Sequence, residues 1–245
     1  MRLPWVLVYL RIRKLKKEHE VERKMLDIEK QMFEIEQHSL RLQMNPHFIF
    51  NSLNSIQGFV LENDTDGAIV YLSKFSHLMR LILNNSKESF IPLRDELKAI
   101  SYYVELEQLR FDFKFDYRIN IDERIDTDFI GIPPMLIQPY VENAIIHGMI
   151  NKKEKGNIQI NLSIGEKYLI CNIIDDGIGR EASGLLRAKT GLRHKPKGML
   201  ITKERLDLLN KQLNSNLSVY ITDLFDESGK STGTKVTLKI IYVEL

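Results

Sequence analysis

Cysteine is almost absent from this 245-residue sequence, which contains Cys171 alone. A single cysteine excludes a disulfide framework within the chain and favours a reducing compartment. Because Cys171 lies in the apolar run Tyr168–Ile174, we expect its thiol to be buried and inert.

An excess of charge of one sign is also missing. The chain has 35 lysines and arginines against 33 aspartates and glutamates, so its formal net charge is +2. This balance gives no broad attraction to nucleic acid, and we expect no direct nucleic-acid contact. Hydrophobic residues make up 43% and charged residues 28%, as in an ordinary globular protein with one large or two modest domains.

The apolar stretch nearest the start, Pro4–Leu10, falls far short of the about 20 residues that cross a bilayer. It also lacks the cleavage pattern of a secretory signal. A basic cluster comes directly after it, formed by Arg11, Arg13, Lys14, Lys16 and Lys17. Two interpretations stay open: a helix start with a solvated charge run, or the cytoplasmic flank of a membrane segment that lies upstream.

A heptad pattern begins at Val21. Its apolar seam, with spacings of four and three, consists of Val21, Met25, Ile28, Met32, Ile35, Ser39 and Leu42. Such a seam predicts a coiled coil with a second copy of the chain, hence a homodimer. The spacing continues through Pro46, Ile49, Leu53, Ile56 and Val60, which predicts that His47 points outward beside the seam.

Two more helices are predicted after this one. Turn formers at Glu62–Gly67 end the first helix, and a second is expected over Ala68–Asn84. The apolar face predicted for it consists of Ala68, Leu72, Phe75, Met79 and Ile82. Two antiparallel helices in each subunit predict a four-helix bundle in the dimer. A third helix, Arg94–Phe111, is expected to connect to the next domain.

Strand and helix patterns alternate beyond Phe113, which predicts an α/β domain. The predicted strands are Asp116–Asp122, Asn157–Ile164, Tyr168–Ile174, Leu217–Ile221 and Lys235–Ile240. The predicted helices are Pro134–His147 and Ile201–Leu213.

Polar residues interrupt this apolar pattern at two places. Asn143 lies in an apolar helix that we expect to end at a Gly148 C-cap, and its amide is either a structural hydrogen-bonding group or an oxygen ligand for Mg²⁺. Asp175 and Asp176 come after an apolar strand and precede Gly177 and Gly179.

A long segment without clear periodicity lies beyond these glycines and is rich in basic residues. It predicts a lid that closes over polyphosphate, and its basic residues are Arg180, Arg187, Lys189, Arg193, Lys195 and Lys197. Gly198 then precedes a helix whose N-terminal amides are suited to phosphate oxygens.

The segments "NPHFIFNSLN", "PPMLIQPYVENAIIHG" and "IIDDGIG" together resemble the LytS-type sensor histidine kinases. The catalytic domain of that family is similar to the ATP-binding domains of gyrase and MutL, the Bergerat fold, and the resemblance covers about Leu40–Tyr242. It implies that His47 is the phosphoacceptor, Asn143 the Mg²⁺ ligand and Asp175 the group that reads the adenine amino group. The further ATP-binding residues that it implies are His147, Gly177, Gly179, Lys197, Gly198, Gly233 and Thr234.

The predicted fold class is α+β. It comprises an N-terminal coiled coil and dimerising helical hairpin, and then a C-terminal α/β two-layer sandwich of the Bergerat type. The predicted organisation is the end of a membrane segment over 1–10, a coiled-coil signalling helix over 11–44, dimerisation and phosphotransfer helices over 45–112, and an ATP-binding catalytic domain over 113–245.

The function implied is that of a two-component sensor kinase, which phosphorylates His47 with ATP and Mg²⁺. The phosphoryl group then passes to an aspartate of a response regulator, which the family suggests is of the LytTR type. Asn51, one turn after His47, is a candidate for orienting a dephosphorylating water, although packing explains it equally well. The expected location is the cytoplasmic face of the cell membrane, the inner membrane in a Gram-negative cell.

Two alternatives stay open. The second glycine box is depleted, since Gly198 stands alone and Ile201 occupies a position where the family usually has asparagine. One alternative is a Bergerat-fold ATPase that hydrolyses ATP without phosphorylating His47. The other is a pseudokinase scaffold that dimerises and binds partners.

Overall fold

The computed structural model describes residues 11, 15–16, 46–189, 206–211, 213 and 215–245, with backbone alone for 46–47 and 186–189. It divides the chain into two compact units, 1–42 and 43–245. The predicted heptad seam over 21–42 lies outside the described residues, as do Arg193, Lys195, Lys197, Gly198 and Ile201. Almost all of the described residues belong to the second unit.

Three helices open this unit: α1 (Pro46–Leu61), α2 (Thr65–Asn85) and α3 (Leu93–Arg110). The break between α1 and α2 falls within the predicted run of turn formers, but α2 begins three residues before the predicted start. Asp64 explains the difference, because its carboxylate caps the helix by accepting a hydrogen bond from the Gly67 amide at 2.9 Å.

Helix α3 belongs to the core and is more than the predicted connector. Its residues Ile100, Tyr103 and Val104 are buried, and it packs against α2, α1 and the α/β region after it. Phe48 of α1 lies on it, with 5.0 Å between the ring centroids of Phe48 and Tyr103. The helices and the sheet region therefore share one hydrophobic core.

The buried face of α2 overlaps the predicted one only in part. Ile82 of the predicted face is buried but Leu72 is 50% exposed, and the buried residues Tyr71 and Leu78 were not predicted. The helix is turned so that Tyr71 reaches α1, where its hydroxyl hydrogen-bonds the Ser52 hydroxyl at 3.4 Å. A buried tyrosine needs a partner for its hydroxyl, and Ser52 supplies it.

The α/β region is built on a mixed five-stranded sheet, in the order β2-β4-β5-β7-β6. Its strands are β2 (Phe115–Ile121), β4 (Gly156–Ile164), β5 (Tyr168–Asp175), β6 (Ser218–Phe225) and β7 (Ser231–Ile241). Strands β2 and β4 are parallel, and the other neighbours are antiparallel. A small second sheet consists of β1 (Ile91–Pro92), β3 (Ile130–Ile132) and β8 (Val243–Glu244).

Helices cover one face of the large sheet. They are α4 (Gln138–Asn143), its continuation as a π-helical turn (Ala144–Met149), and α5 (Gly179–Lys189). Alternate residues of β5 face these helices, and among them Cys171 is fully buried, which raises the pKa of its thiol. The predictions of a buried cysteine, a helical N-terminal part and a C-terminal α/β two-layer sandwich are confirmed.

Candidate functional site

The segment that leads into α4 is held in place by a buried carboxylate from α3. Glu96 accepts hydrogen bonds from the backbone amides of Met135, at 2.8 Å, and Ile137, at 3.1 Å. Met135 has a φ of 55°, a left-handed conformation that side chains other than glycine adopt at a cost. Glu96 therefore fixes a strained entry into the helix that carries Asn143.

Gly148 does not end a helix, contrary to the predicted C-cap. The chain widens into a π-helical turn after Asn143 and stays helical to Met149. Gly148 instead packs against Gly177, where an added Cβ would lie 2.4 Å from the Gly148 Cα. π-Helical turns occur often at functional sites, and this one brings two backbones into direct contact beside Asp175.

The two aspartates at the end of β5 have different surroundings. Asp175 is 5% exposed and accepts a hydrogen bond from the Gly177 amide at 3.0 Å. Burial raises its pKa to about 6, although hydrogen bonds from Gly177 and Thr234 oppose the rise. Asp176 faces elsewhere and pairs with Lys152 at 2.8 Å. Asp175 is thus the carboxylate available to a ligand.

A glycine and a threonine of β7 lie directly beside Asp175. Gly233 has a φ of 139°, and a Cβ there would lie 1.9 Å from the Asp175 carbonyl oxygen, so only glycine fits. Thr234 is paired with Asp175 across the two strands and is buried. The sequence "STGTKV" therefore forms a close backbone contact at the Asp175 end of the sheet.

The basic segment predicted as an aperiodic lid is helical in its first part. Gly179, with a φ of 79°, begins α5, which extends to Lys189. Arg180 donates two hydrogen bonds to Asp223, from Nε at 2.7 Å and from Nη2 at 2.6 Å. This pairing lowers the pKa of Asp223 and raises that of Arg180. The polar spacing of α5 hid its helical periodicity in the sequence.

These elements enclose a cleft of about 650 Å³, counting its open mouth. The residues that line it are Tyr140, Asn143, Ala144, His147, Gly148, Asp175, Gly179, Arg180, Ser183, Ile221, Thr234 and Val236. Burial raises the pKa of Tyr140 to about 12, so its hydroxyl stays protonated and can donate.

Most of the predicted ATP-binding residues meet in this cleft. Asn143, His147, Asp175, Gly179 and Thr234 line it, and Gly177 and Gly233 form the backbone contacts behind Asp175. His47 and Asn51 lie one turn apart on α1. The apolar walls Tyr140, Ile221 and Val236 were not predicted, because buried apolar residues of a cleft have the same sequence pattern as a core.

The donor atoms of the cleft suit Mg²⁺ bound together with a phosphate ligand. Among the described residues, no three His, Cys, Asp or Glu side chains are grouped to hold a metal ion. Mg²⁺ usually takes one or two protein oxygens and completes its shell with phosphates and water. Asn143 lines the cleft and carries an amide oxygen, a ligand type that fits this cation.

Comparison with known proteins finds similarity to histidine kinases. Residues 35–115 match the histidine kinase family. The chain is 35% identical over 147 residues to the sensor protein LytS of Staphylococcus epidermidis, covering 60% of this chain and 24% of that protein. The matched part of the chain is therefore similar to the LytS-type histidine kinases.

Another such kinase, the sensor histidine kinase/phosphatase LytS of Staphylococcus aureus, is 35% identical over 151 residues, covering 60% of this chain and 25% of that protein. The chain thus spans about a quarter of the length of these relatives. The solved histidine kinase domain of the blue-light activated histidine kinase of Erythrobacter litoralis EL346 aligns with a TM-score of 0.42 at 14% identity, over 86% of this chain and 93% of that chain.

The similarity to LytS extends beyond the helical part. An alignment of 147 residues is longer than the 114 residues that precede β2, so it includes part of the α/β region. The family match itself contains α1 to α3, and with them His47 and Asn51. In the part of the chain that the structure describes, no helix is both long and apolar enough to span a bilayer.

Proposed function

We propose that this chain is the kinase part of a two-component sensor, which phosphorylates His47 with ATP. One observation carries the proposal: the cleft unites Asn143, His147, Asp175, Gly179 and Thr234, which lie far apart in the sequence. The same chain carries a histidine within a segment that matches the histidine kinase family. A nucleotide site and a phosphoacceptor are the two parts that such a kinase needs.

We propose a place in the cleft for the base, for the cation and for the phosphates. Asp175, buried at the end of the cleft, accepts a hydrogen bond from the adenine amino group. Tyr140, Ile221 and Val236 give the base an apolar surface. The glycine contact between Gly148 and Gly177 leaves no side chain in the way, so the ligand can approach the backbone closely.

Asn143 would hold Mg²⁺ through its amide oxygen, and the bound cation would supply charge neutralisation for the phosphate oxygens. Lys197 and Gly198, which the sequence predicts to bind ATP, lie outside the described residues.

His47 is the nucleophile in this proposal. A neutral ring nitrogen attacks the γ-phosphorus, the bond from phosphorus to the bridging oxygen of ADP breaks, and the ring proton passes to water. The phosphoryl group then transfers from nitrogen to an aspartate of a response regulator, of the LytTR type. Catalysis depends on positioning and on charge neutralisation more than on a general base.

Asn51 is proposed to orient a water molecule for dephosphorylation, in which water attacks phosphorus and inorganic phosphate is released. It lies four residues after His47, hence on the same side of α1. The Staphylococcus aureus relative is named a kinase/phosphatase, which supports this role. The backbone carbonyl of Asn51 accepts a hydrogen bond from the Ser55 hydroxyl at 3.0 Å, within helix α1.

The proposed partners are a second copy of the chain and a response regulator, with no direct contact to nucleic acid. Leu53 and Val60, predicted seam positions, are 51% and 60% exposed, as expected for a face that a second copy covers. Leu61, Ile69 and Leu72 are further exposed apolar residues of α1 and α2. The basic cluster after Leu10 supports the proposed association with the cytoplasmic face of the membrane.

Autophosphorylation tests the proposal directly. The protein is incubated with Mg²⁺ and γ-labelled ATP, and acid-labile label on the protein is measured for wild type, His47→Gln and His77→Gln. His77 is a matched control, an exposed histidine on α2 whose ring stacks on Tyr102. We expect label on wild type and His77→Gln only. Label on His47→Gln would refute the phosphoacceptor, and hydrolysis of ATP without any label would indicate an ATPase instead.

A further inference from the structure

The strand register aligns two rows of side chains, and Asp175, Thr234, Ile221 and Val236 of these rows line the cleft. Asp175, Thr234 and Asp223 are directly opposed across β5, β7 and β6, so they form one polar row. Ile173, Val236 and Ile221 form the next row in the same way. Directly opposed residues point to the same face of a sheet, so both rows face the helices.

Asp223 ends the polar row on the edge strand, and Arg180 covers it. The Arg180 side chain reaches over from the start of α5 and binds both carboxylate oxygens, at 2.7 and 2.6 Å. Such bidentate pairs fix the orientation of the guanidinium as well as its position. The Arg180 side chain is still 51% exposed, and it lines the cleft.

The pairing decides which part of Arg180 can contact a ligand. Asp223 uses the Nε hydrogen and one Nη2 hydrogen, so the planar face, both Nη1 hydrogens and the second Nη2 hydrogen stay available to a ligand. Asp223 no longer presents an unpaired negative charge near a polyphosphate. A guanidinium face stacks readily on planar aromatic rings, whereas an ammonium group offers no plane.

The same contact elsewhere on the surface would have little consequence. Exposed ion pairs contribute about 0–1 kcal/mol to stability, so the pair is not explained by folding alone. Arg94 and Asp128 form a comparable exposed ion pair, and neither residue lines the cleft. What distinguishes Arg180 is its position at the end of a row that begins with Asp175.

We propose that Arg180, oriented by Asp223, forms the outer wall of the base site and stacks on the purine ring whose amino group Asp175 binds. This inference rests on the proposed function, because it requires that the cleft bind an adenine nucleotide. Arg180 contacts the ligand, and Asp223 acts through Arg180 as a positioning residue.

Binding of adenosine, ADP and Mg-ATP to the full chain by calorimetry tests this assignment. Because the contact is with the base, Arg180→Ala weakens all three ligands by a similar factor, about 3- to 30-fold. Asp223→Asn weakens binding of the three ligands less than Arg180→Ala does. Arg180→Lys recovers little of the lost affinity, because lysine has no planar group. In autophosphorylation, the KM for ATP rises in Arg180→Ala while kcat at saturating ATP stays near the wild-type value.

The control is Arg94→Ala, which removes the other exposed ion pair and leaves all three affinities unchanged. Weakening of ADP and Mg-ATP without weakening of adenosine would overturn the stacking and show a phosphate contact. Equal affinities in Arg180→Ala and wild type would overturn the inference while leaving the nucleotide site intact. Failure of wild type to bind Mg-ATP would instead refute the proposed function.

Discussion

Glu107 is a buried carboxylic acid in α3, at the junction of the helices and the α/β region. Its Oε1 accepts a hydrogen bond from Arg110 at 2.8 Å, and its Oε2 has no hydrogen-bond partner among the described residues. Burial raises its pKa to about 7; Arg110 opposes this rise and Glu142 of α4 adds to it. The tyrosines Tyr71 and Tyr103 face the same cluster.

This raised pKa predicts a pH-dependent stability. The folded state binds the Glu107 proton more tightly than the unfolded state, whose pKa is 4.5, so the contribution is fully present below that pH and is lost as the pH rises through about 7. The loss is on the order of 3 kcal/mol at most. Urea unfolding across this pH range measures it, and Glu107→Gln removes this part of the pH dependence.

Glu105→Gln is the control for this experiment. Glu105 lies on the same helix but is about one-third exposed and forms an ion pair with Lys74. Its substitution leaves the slope of stability against pH close to that of wild type. A Glu107→Gln profile parallel to the wild-type profile would show that the Glu107 carboxyl titrates at its ordinary pKa in the folded state.

Asp175 gives a second prediction, about ligand affinity. Since burial raises its pKa to about 6, the carboxylate is ionised at neutral pH and becomes protonated just below it. The quantity to compare is the ratio of the wild-type affinity for Mg-ATP to that of Asp175→Asn. We expect this ratio to be roughly tenfold lower at about pH 5 than at about pH 7.5. The ratio to the Asn variant, measured by calorimetry, cancels protonation of the nucleotide itself. A ratio that does not change with pH would exclude Asp175 as the titrating acceptor.

Single residues were predictable from the sequence where they break an apolar pattern. Asn143 and Asp175 stand out because a polar side chain interrupts an apolar helix or ends an apolar strand. Glu96 and Asp223 do not stand out, since acidic residues on an amphipathic helix or an edge strand are ordinary. Their roles depend on partners about 40 residues away in the sequence, and only the fold brings those together.

The contact between the π-helical turn and the segment after β5 depends on two glycines. A Cβ on Gly177 would lie 2.4 Å from the Gly148 Cα, so Gly177→Ala must push the turn away from Asp175. We expect Mg-ATP affinity to fall by at least about tenfold and stability by about 1–3 kcal/mol. Calorimetry and urea unfolding measure the two effects.

Gly184 of α5 provides a matched control, because a Cβ there meets no atom within 4 Å. Gly184→Ala should keep Mg-ATP affinity and stabilise the protein by about 0.5–1 kcal/mol, as alanine favours a helix. Normal nucleotide affinity in Gly177→Ala would mean that the cleft does not depend on the close approach of these two backbones.

The link between α3 and α4 is another feature at the scale of the element. Glu96→Ala leaves the amides of Met135 and Ile137 without their acceptor, and each buried unpaired amide costs about 1–3 kcal/mol. We expect a loss of about 2–5 kcal/mol in urea unfolding, together with weaker nucleotide binding. Glu105→Ala, on the exposed side of the same helix, should cost less than about 1 kcal/mol. Similar losses of stability in the two variants would argue against this role of the Glu96 carboxylate.

Elements were predictable where periodicity is regular. Strand β4 matches the predicted alternation closely, because one face is buried and the other is polar. The predicted Gly148 C-cap was wrong, since a glycine needed for close packing looks like a glycine needed for a helix end. The start of α5 was missed because Gly179 and the basic residues after it obscure its apolar side.

At the scale of the whole molecule, α1 and α3 are physically connected to the proposed nucleotide site in the cleft. Phe48, next to His47, packs on Tyr103 of α3, and the same helix carries Glu96, which holds the entry to α4. Displacement of α3 would therefore act on both the proposed phosphoacceptor helix and the helix of Asn143. The sequence did not predict this connection, because the loose apolar spacing of α3 is equally typical of a linker between two domains.

The exposed apolar residues of α1 and α2 lead to a prediction about the homodimer. Leu53 lies at a predicted seam position and is 51% exposed, so Leu53→Glu places a charge in the proposed dimer interface. Burial of one leucine contributes about 1.5–3 kcal/mol, hence the dimer dissociation constant should rise at least about tenfold. Light scattering over a dilution series measures this constant, and Mg-ATP affinity stays unchanged because the cleft is elsewhere. Leu185→Glu, a 60% exposed leucine on α5, should leave the dimer intact. Equal dissociation constants for wild type and Leu53→Glu would place the interface on another surface.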